Sequence, residues 1–159
     1  MHKFLDPVGE ESFHSESSVL MTEIVLPSHT NALGTIFGGV VMGWMDIAGA
    51  IASARYARSP VVTVSVDHLH FIVPIKIGYT VRIHARVSSV GKTSMEVECI
   101  AESENVITGE VQRATQAYLT FVSLDDKGRP KAVPPFTFTG PDAEAKSLAA
   151  QKRRKARLI

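Results

Sequence analysis

The strongest constraint on this chain lies between Val40 and Tyr56, where Met, Ala, Ile and Trp fall on every side of a helical wheel. A surface helix keeps its apolar residues to one stripe, so a helix that is apolar all round has to be enclosed by protein. Its one acid, Asp46, sits in the middle of this run. Burying a carboxylate costs several kcal/mol of hydration unless something compensates, so Asp46 is the first candidate for chemistry. Just ahead lies Asn31-Ala32-Leu33-Gly34-Thr35-Ile36-Phe37-Gly38-Gly39, which delivers two glycines to the start of the helix.

What encloses the helix can be read from the flanking segments. Val19 to Leu26 alternates and stops at Pro27, as a strand does. After Pro60 the pattern is extended: Val61 to Ile72 is rich in β-branched residues, and Thr80 to Val90 sets Val81, Ile83, Ala85 and Val87 against Arg82, His84 and Arg86. Gly91-Lys92 is a tight turn into Thr93 to Ala101, a looser connection around Glu104, Asn105 and Gly109 follows, and Val111 to Leu124 alternates again. A helix over residues 142 to 157, entered through Pro141 and Asp142, closes the chain. The expected fold is α+β: a curved antiparallel five-stranded sheet wrapped around the central helix, plus a C-terminal surface helix. One domain is expected over residues 18–135, with an extended N-terminal arm over 1–17 and a C-terminal extension with a basic helix over 136–159.

A net charge of +1 argues against a nucleic-acid or membrane-surface binder, so any anion site has to be local. No stretch at the N-terminus reads as a signal peptide, and the cytoplasm is the expected compartment. The single cysteine, Cys99, excludes an internal disulfide and a multi-cysteine metal site.

The Asn-x-x-Gly-x-x-Phe-Gly-Gly run from Asn31 and the Met-Asp-x-x-Gly-Ala of Met45 to Ala50 resemble hot-dog-fold acyl-CoA thioesterases of the YciA and brain acyl-CoA hydrolase type. Val62-Thr63-Val64, Phe71-Ile72-Val73-Pro74, Gly78, Gly91-Lys92-Thr93-Ser94 and Ala117 to Val122 fit the strands of that family. The resemblance covers about residues 18 to 135. It implies a single hot-dog domain and an enzyme that hydrolyses acyl-CoA to a free fatty acid and CoA. No cofactor or metal is implied, and the minimal unit is a homodimer that often assembles to a homohexamer, a trimer of dimers. The alternatives are a non-catalytic acyl-CoA-binding hot-dog protein and, further off, a hot-dog dehydratase of hydroxyacyl or enoyl thioesters; the histidines here do not form a hydratase pattern.

Thioester hydrolysis needs a group that attacks or activates water, and donors for the oxyanion that forms. Asp46 suits the first role, as nucleophile or as base. Gly38 and Gly39 suit the second, because N–H groups at a helix start have no partner within the helix and lie at the positive end of its dipole. Asn31 offers a side-chain amide, or acts as a turn residue. Asp46 follows Gly38 by eight residues, about 12 Å along a helix, too far for both to act on one carbonyl. The resemblance resolves this by pairing the central helices of two subunits, so that Asn31 and Gly38 of one chain face Asp46 of the other.

The remaining candidates are less specific. Lys92, Thr93, Ser94, Arg58 and Arg113 suit CoA phosphates, as does the cluster from Lys152 to Arg157, which equally fits a solvated helix face. Simple alternation puts Ser65 and Asp67 on one face of their strand, as channel or structural residues, and His68 and His70 on the other. That histidine pair lacks the further ligands a metal needs. Trp44, Met42 and Met45 are the bulky residues beside the acid and candidates to line the acyl pocket.

Overall fold

A computed structural model describes residues 17–158 together with Pro7; the expected N-terminal arm therefore lies almost wholly outside the described residues. The elements are β1 (Val19–Ile24), a 3-10 turn (Pro27–His29), α1 (Gly38–Ala57), β2 (Val61–Phe71), β3 (Thr80–Val90), β4 (Ser94–Asn105), β5 (Glu110–Ser123) and α2 (Ala143–Arg157). The strands form one antiparallel sheet in the order β1-β3-β4-β5-β2, and α1 packs against every strand of it. This is the hot-dog fold, as expected. β4 runs four residues beyond the expected Ala101, because Glu102, Ser103, Glu104 and Asn105 continue the ladder with β5.

The alternation on each strand decides the two faces of the sheet. Val81, Ile83 and Ala85 on β3, Met95, Val97 and Cys99 on β4, and Ala117, Leu119 and Phe121 on β5 are buried in one core with Val41, Met45, Ala48 and Ala52 of α1. Gly49 lets helix and sheet close up: a Cβ there would stand 2.9 Å from the Phe121 ring. Arg58, with φ 52°, caps α1 by donating its N–H to the Ala54 carbonyl, and Pro60 prevents the helix from resuming. The half of α1 turned from the sheet exposes Met42, Ile47 and Ile51. One chain therefore encloses only half of the apolar helix.

The outer face of the sheet is polar yet largely buried. Glu96, Glu98 and Glu102 alternate with the apolar residues of β4 and are at most 8% exposed. His84 and Arg82 serve Glu102, Arg86 serves Glu98, and Arg153 and Arg157 of α2 converge on Glu96. Burial raises the Glu96 pKa, but hydrogen bonds from Arg153, Ser88 and Arg157 outweigh it and hold the carboxyl below its ordinary value. Arg153 also stacks on Tyr118, 3.8 Å from the ring centre. The basic cluster was a candidate for a solvated face or for phosphate; two of its arginines, one helical turn apart, instead dock α2 on the sheet, leaving Lys152, Arg154 and Lys155 exposed. Among the described residues no helix is long and apolar enough to cross a membrane.

Candidate active site

Asp46 is half-buried on α1, and its Oδ1 accepts a hydrogen bond of 2.6 Å from the Thr63 hydroxyl on β2. Both open onto a cavity of about 300 Å³ walled by Met42, Met45, Val66, Leu69 and Leu119. Among the described residues Asp46 makes no ion pair, with Arg55, Arg58 or any other cation. Arg55 instead donates to the Ser18 carbonyl. A carboxylate held by a neutral hydroxyl in an apolar wall keeps one oxygen for a proton or a carbonyl carbon. Behind it the Cys99 thiol faces the Met45 carbonyl, and burial, followed by the charges of Glu98 and Asp46, pushes its pKa far up, which removes it as a nucleophile.

Gly38 and Gly39 are the first two residues of α1, and among the described residues their N–H groups find no acceptor. A Cβ on Gly38 would come within 2.9 Å of the Phe71 ring, whereas Gly39 faces open space. Phe71 ends β2, far from Thr63 near its start, so strand and helix agree that the donors and the acid are apart within one chain. Asn31 bridges its own loop: its Oδ1 accepts from the Leu33 N–H at 2.9 Å and the Thr35 N–H at 3.3 Å, and its Nδ2 donates to Thr35 Oγ1 at 3.0 Å. The turn role is thus present, and the second N–H of that amide has no acceptor among the described residues.

Two β-bulges in β2 change the expected channel. Val64 is an extra residue between the pairs Thr63↔Phe121 and Ser65↔Thr120, and His68 and Leu69 together span one position between Asp67↔Tyr118 and His70↔Gln116. Ser65 and Asp67 therefore follow Thr120 and Tyr118 to the outer face, and Val66 and Leu69 take the cavity wall. Asp67, His68 and His70 share a different, larger cleft of about 640 Å³ against Arg153 and Arg157, so the separation of Asp67 from the histidines expected from alternation does not hold. Among the described residues no group of His, Cys, Asp and Glu is placed to hold a metal. Met42 and Met45 do line the Asp46 cavity, but Trp44 packs edge-on against His29 at 5.1 Å.

The phosphate candidates do not converge. Lys92, Thr93 and Ser94 form the β3–β4 turn, and Thr93 is linked through Ser123 to Ser59, next to Arg58. Arg113 pairs in register with Glu102, eight residues along β4 from Ser94, about 26 Å at the usual strand rise. Among the described residues its buried Nε has no hydrogen-bond partner.

Comparison with known proteins gives these features a context. Residues 33–110 match the pattern of the Thioesterase superfamily. An uncharacterized acyl-CoA thioester hydrolase of Bacillus subtilis, YkhA, is 40% identical over 79% of this chain and 73% of its own length. The acyl-CoA thioester hydrolase YciA of Escherichia coli is 34% identical over 75% of this chain and 92% of its own length. An acyl-CoA hydrolase from Staphylococcus aureus, solved with butyryl coenzyme A, coenzyme A and coenzyme A disulfide, superposes with a TM-score of 0.81 at 38% identity, over 91% of this chain and 90% of that one. That enzyme has also been solved with alanine replacing an asparagine, an aspartate and a threonine, spaced along its chain as Asn31, Asp46 and Thr63 are here. A hexameric thioesterase from Yersinia pestis superposes with a TM-score of 0.67 at 38% identity, over 72% of this chain and 93% of that one. By sequence and fold alike, this chain belongs to the thioesterase superfamily, as a hot-dog acyl-CoA thioester hydrolase of the YciA type.

Proposed function

We propose that the chain hydrolyses acyl-CoA at composite sites in a homodimer, Asp46 of one subunit acting on a carbonyl held by Gly38, Gly39 and Asn31 of the other. The observation that carries this reading is that, among the described residues, Asp46 is paired with Thr63 alone, in an apolar cavity and about 12 Å from the helix start that would bind the oxyanion. The Thr63 hydroxyl orients the carboxylate, and the free oxygen attacks the thioester carbon or takes a proton from water. The unpaired N–H groups of the glycines receive the developing oxyanion.

The dimer has its own support. Met42, Ile47 and Ile51 on α1 and Val62, Val64 and Val66 on β2, the sheet's edge, are all exposed in the single chain. An apolar surface spread over a helix and a free strand edge is what a second copy covers. Assembly to a hexamer follows the Yersinia relative. Lys92, Thr93, Ser94 and Arg58 are our candidates for CoA phosphates, with Arg113 able to join them only from another subunit.

Thiol release from a panel of acyl-CoAs tests the reading. Wild type should turn over at least one chain length, and Asp46→Ala and Asn31→Ala should each lose most activity with folding intact. Full turnover by Asp46→Ala would overturn the assignment.

A further inference from the structure

Val66 and Leu69 both face the Asp46 cavity, a spacing of three residues that a regular strand cannot give, because its side chains alternate. The second bulge of β2 makes it possible. His68 stands there at φ 42°, a left-handed conformation rare outside glycine and kept only where the surroundings hold it. One residue earlier, Asp67 turns to the outer face. There Arg157, the last residue of α2, donates to Asp67 Oδ2 at 2.5 Å and to Glu96 Oε2 at 2.8 Å, both from Nη1. Asp67 and Arg157 are mostly shielded, at 14% and 18% side-chain exposure, and Glu96 is anchored independently by Arg153. Among the described residues the only strand that β2 pairs with is β5.

We infer that Arg157 is a positioning residue: through Asp67 it straps the β2 bulge to the body of the sheet and so fixes Val66 and Leu69, the wall that measures the acyl chain. α2, remote from the acid, is thereby a determinant of chain-length selectivity. This rests on the acyl-CoA hydrolase reading above, with the acyl chain in the Asp46 cavity. Burial in an apolar pocket discriminates by about tenfold or more per methylene only while the wall is rigid.

The test has two arms. In hydrogen exchange, the backbone of residues 64–71 should exchange at least about tenfold faster in Arg157→Gln than in wild type, and unchanged in Arg154→Gln, whose guanidinium lies beside Gly91 instead. Because both bonds leave one nitrogen, the single ammonium of Arg157→Lys should restore protection. In the second arm, kcat/KM across acyl-CoA chain lengths should lose at least about fivefold of its selectivity in Arg157→Gln, with turnover of acetyl-CoA, the shortest of the series, within about twofold of wild type. Asp67→Asn should flatten the profile in the same way and add nothing to Arg157→Gln. Unchanged exchange in Arg157→Gln, or an equal loss at every chain length, would overturn the strap. Should wild type cleave no acyl-CoA, the hydrolase reading falls, and the exchange arm still decides whether Arg157 holds the bulge.

Discussion

Two carboxylates on opposite sides of the sheet, Asp46 on α1 and Glu96 on β4, differ in their surroundings in a way that separates a candidate for chemistry from a part of the architecture. Glu96, on the outer face, receives two guanidiniums and the Ser88 hydroxyl and is held in the charged form. Asp46, on the inner side, has one neutral hydroxyl, Thr63, and an apolar cavity in front of it. Charge compensation ties Glu96 into a structural cluster that a reaction could not use. Among the described residues Asp46 has no such compensation, and its second oxygen accepts no hydrogen bond, as the proposed reactive role requires.

The largest contrast should come from deleting the acid on each side. Asp46→Ala is expected to lower kcat at least about a thousandfold while the melting temperature stays within a few degrees, since general-base or nucleophilic roles are worth that much. Glu96→Gln should do the reverse: losing one charge of a buried cluster costs about 3 kcal/mol, roughly 6–12 °C in a thermal melt for a chain of this size, with kcat on acetyl-CoA little changed. Comparable losses of activity from both would break the division.

Thr63→Ala should give a smaller kinetic effect. Removing a hydrogen bond to a charged group costs about 1.5–3 kcal/mol, so a kcat about 10–100-fold lower is expected, with Thr63→Ser recovering most of it. The smallest effect is in pH. Because the Glu96 pKa is lowered in the folded chain, its stabilisation is complete above the ordinary glutamate pKa and is lost as pH falls through the folded value. α2 should therefore stay docked down to about pH 4.5 and lift only below it, read as loss of the near-UV signal of Tyr118. The Tyr118 phenol, pushed up to about 12 by burial and by Glu98, stays neutral throughout.

Much of this was legible in the residues. Alternation located β1, β3 and β5, β-branched content and turn chemistry located β2 and β4, and a run apolar all round and the Pro141-Asp142 entry located α1 and α2. Asp46 and the paired glycines stood out because a lone acid in an apolar helix and glycines at its start are both physically costly. What escaped was set by long-range geometry. Simple alternation left Ser65 and Asp67 as channel or structural residues, whereas two bulges in β2 put Val66 and Leu69 on the Asp46 cavity. Neither bulge has a glycine or proline to announce it. Thr63 passed as one more β-branched residue, since its partner lies on another element. The docking of α2 did leave a trace: Glu96 and Glu98 alternate with apolar residues on β4, an acidic row in need of cations, and Arg153 and Arg157 are one helical turn apart.

Under the proposed shared site, one chain cannot complete the catalytic set. Inactive Asp46→Ala and inactive Asn31→Ala subunits, unfolded together and refolded as a one-to-one mixture, provide the direct test, read as thiol release from the preferred acyl-CoA. In a mixed dimer one site recovers both an intact Asn31 and an intact Asp46 from different subunits, so random pairing should restore about a quarter of wild-type activity. Verified mixed dimers with no recovery would contradict the shared site.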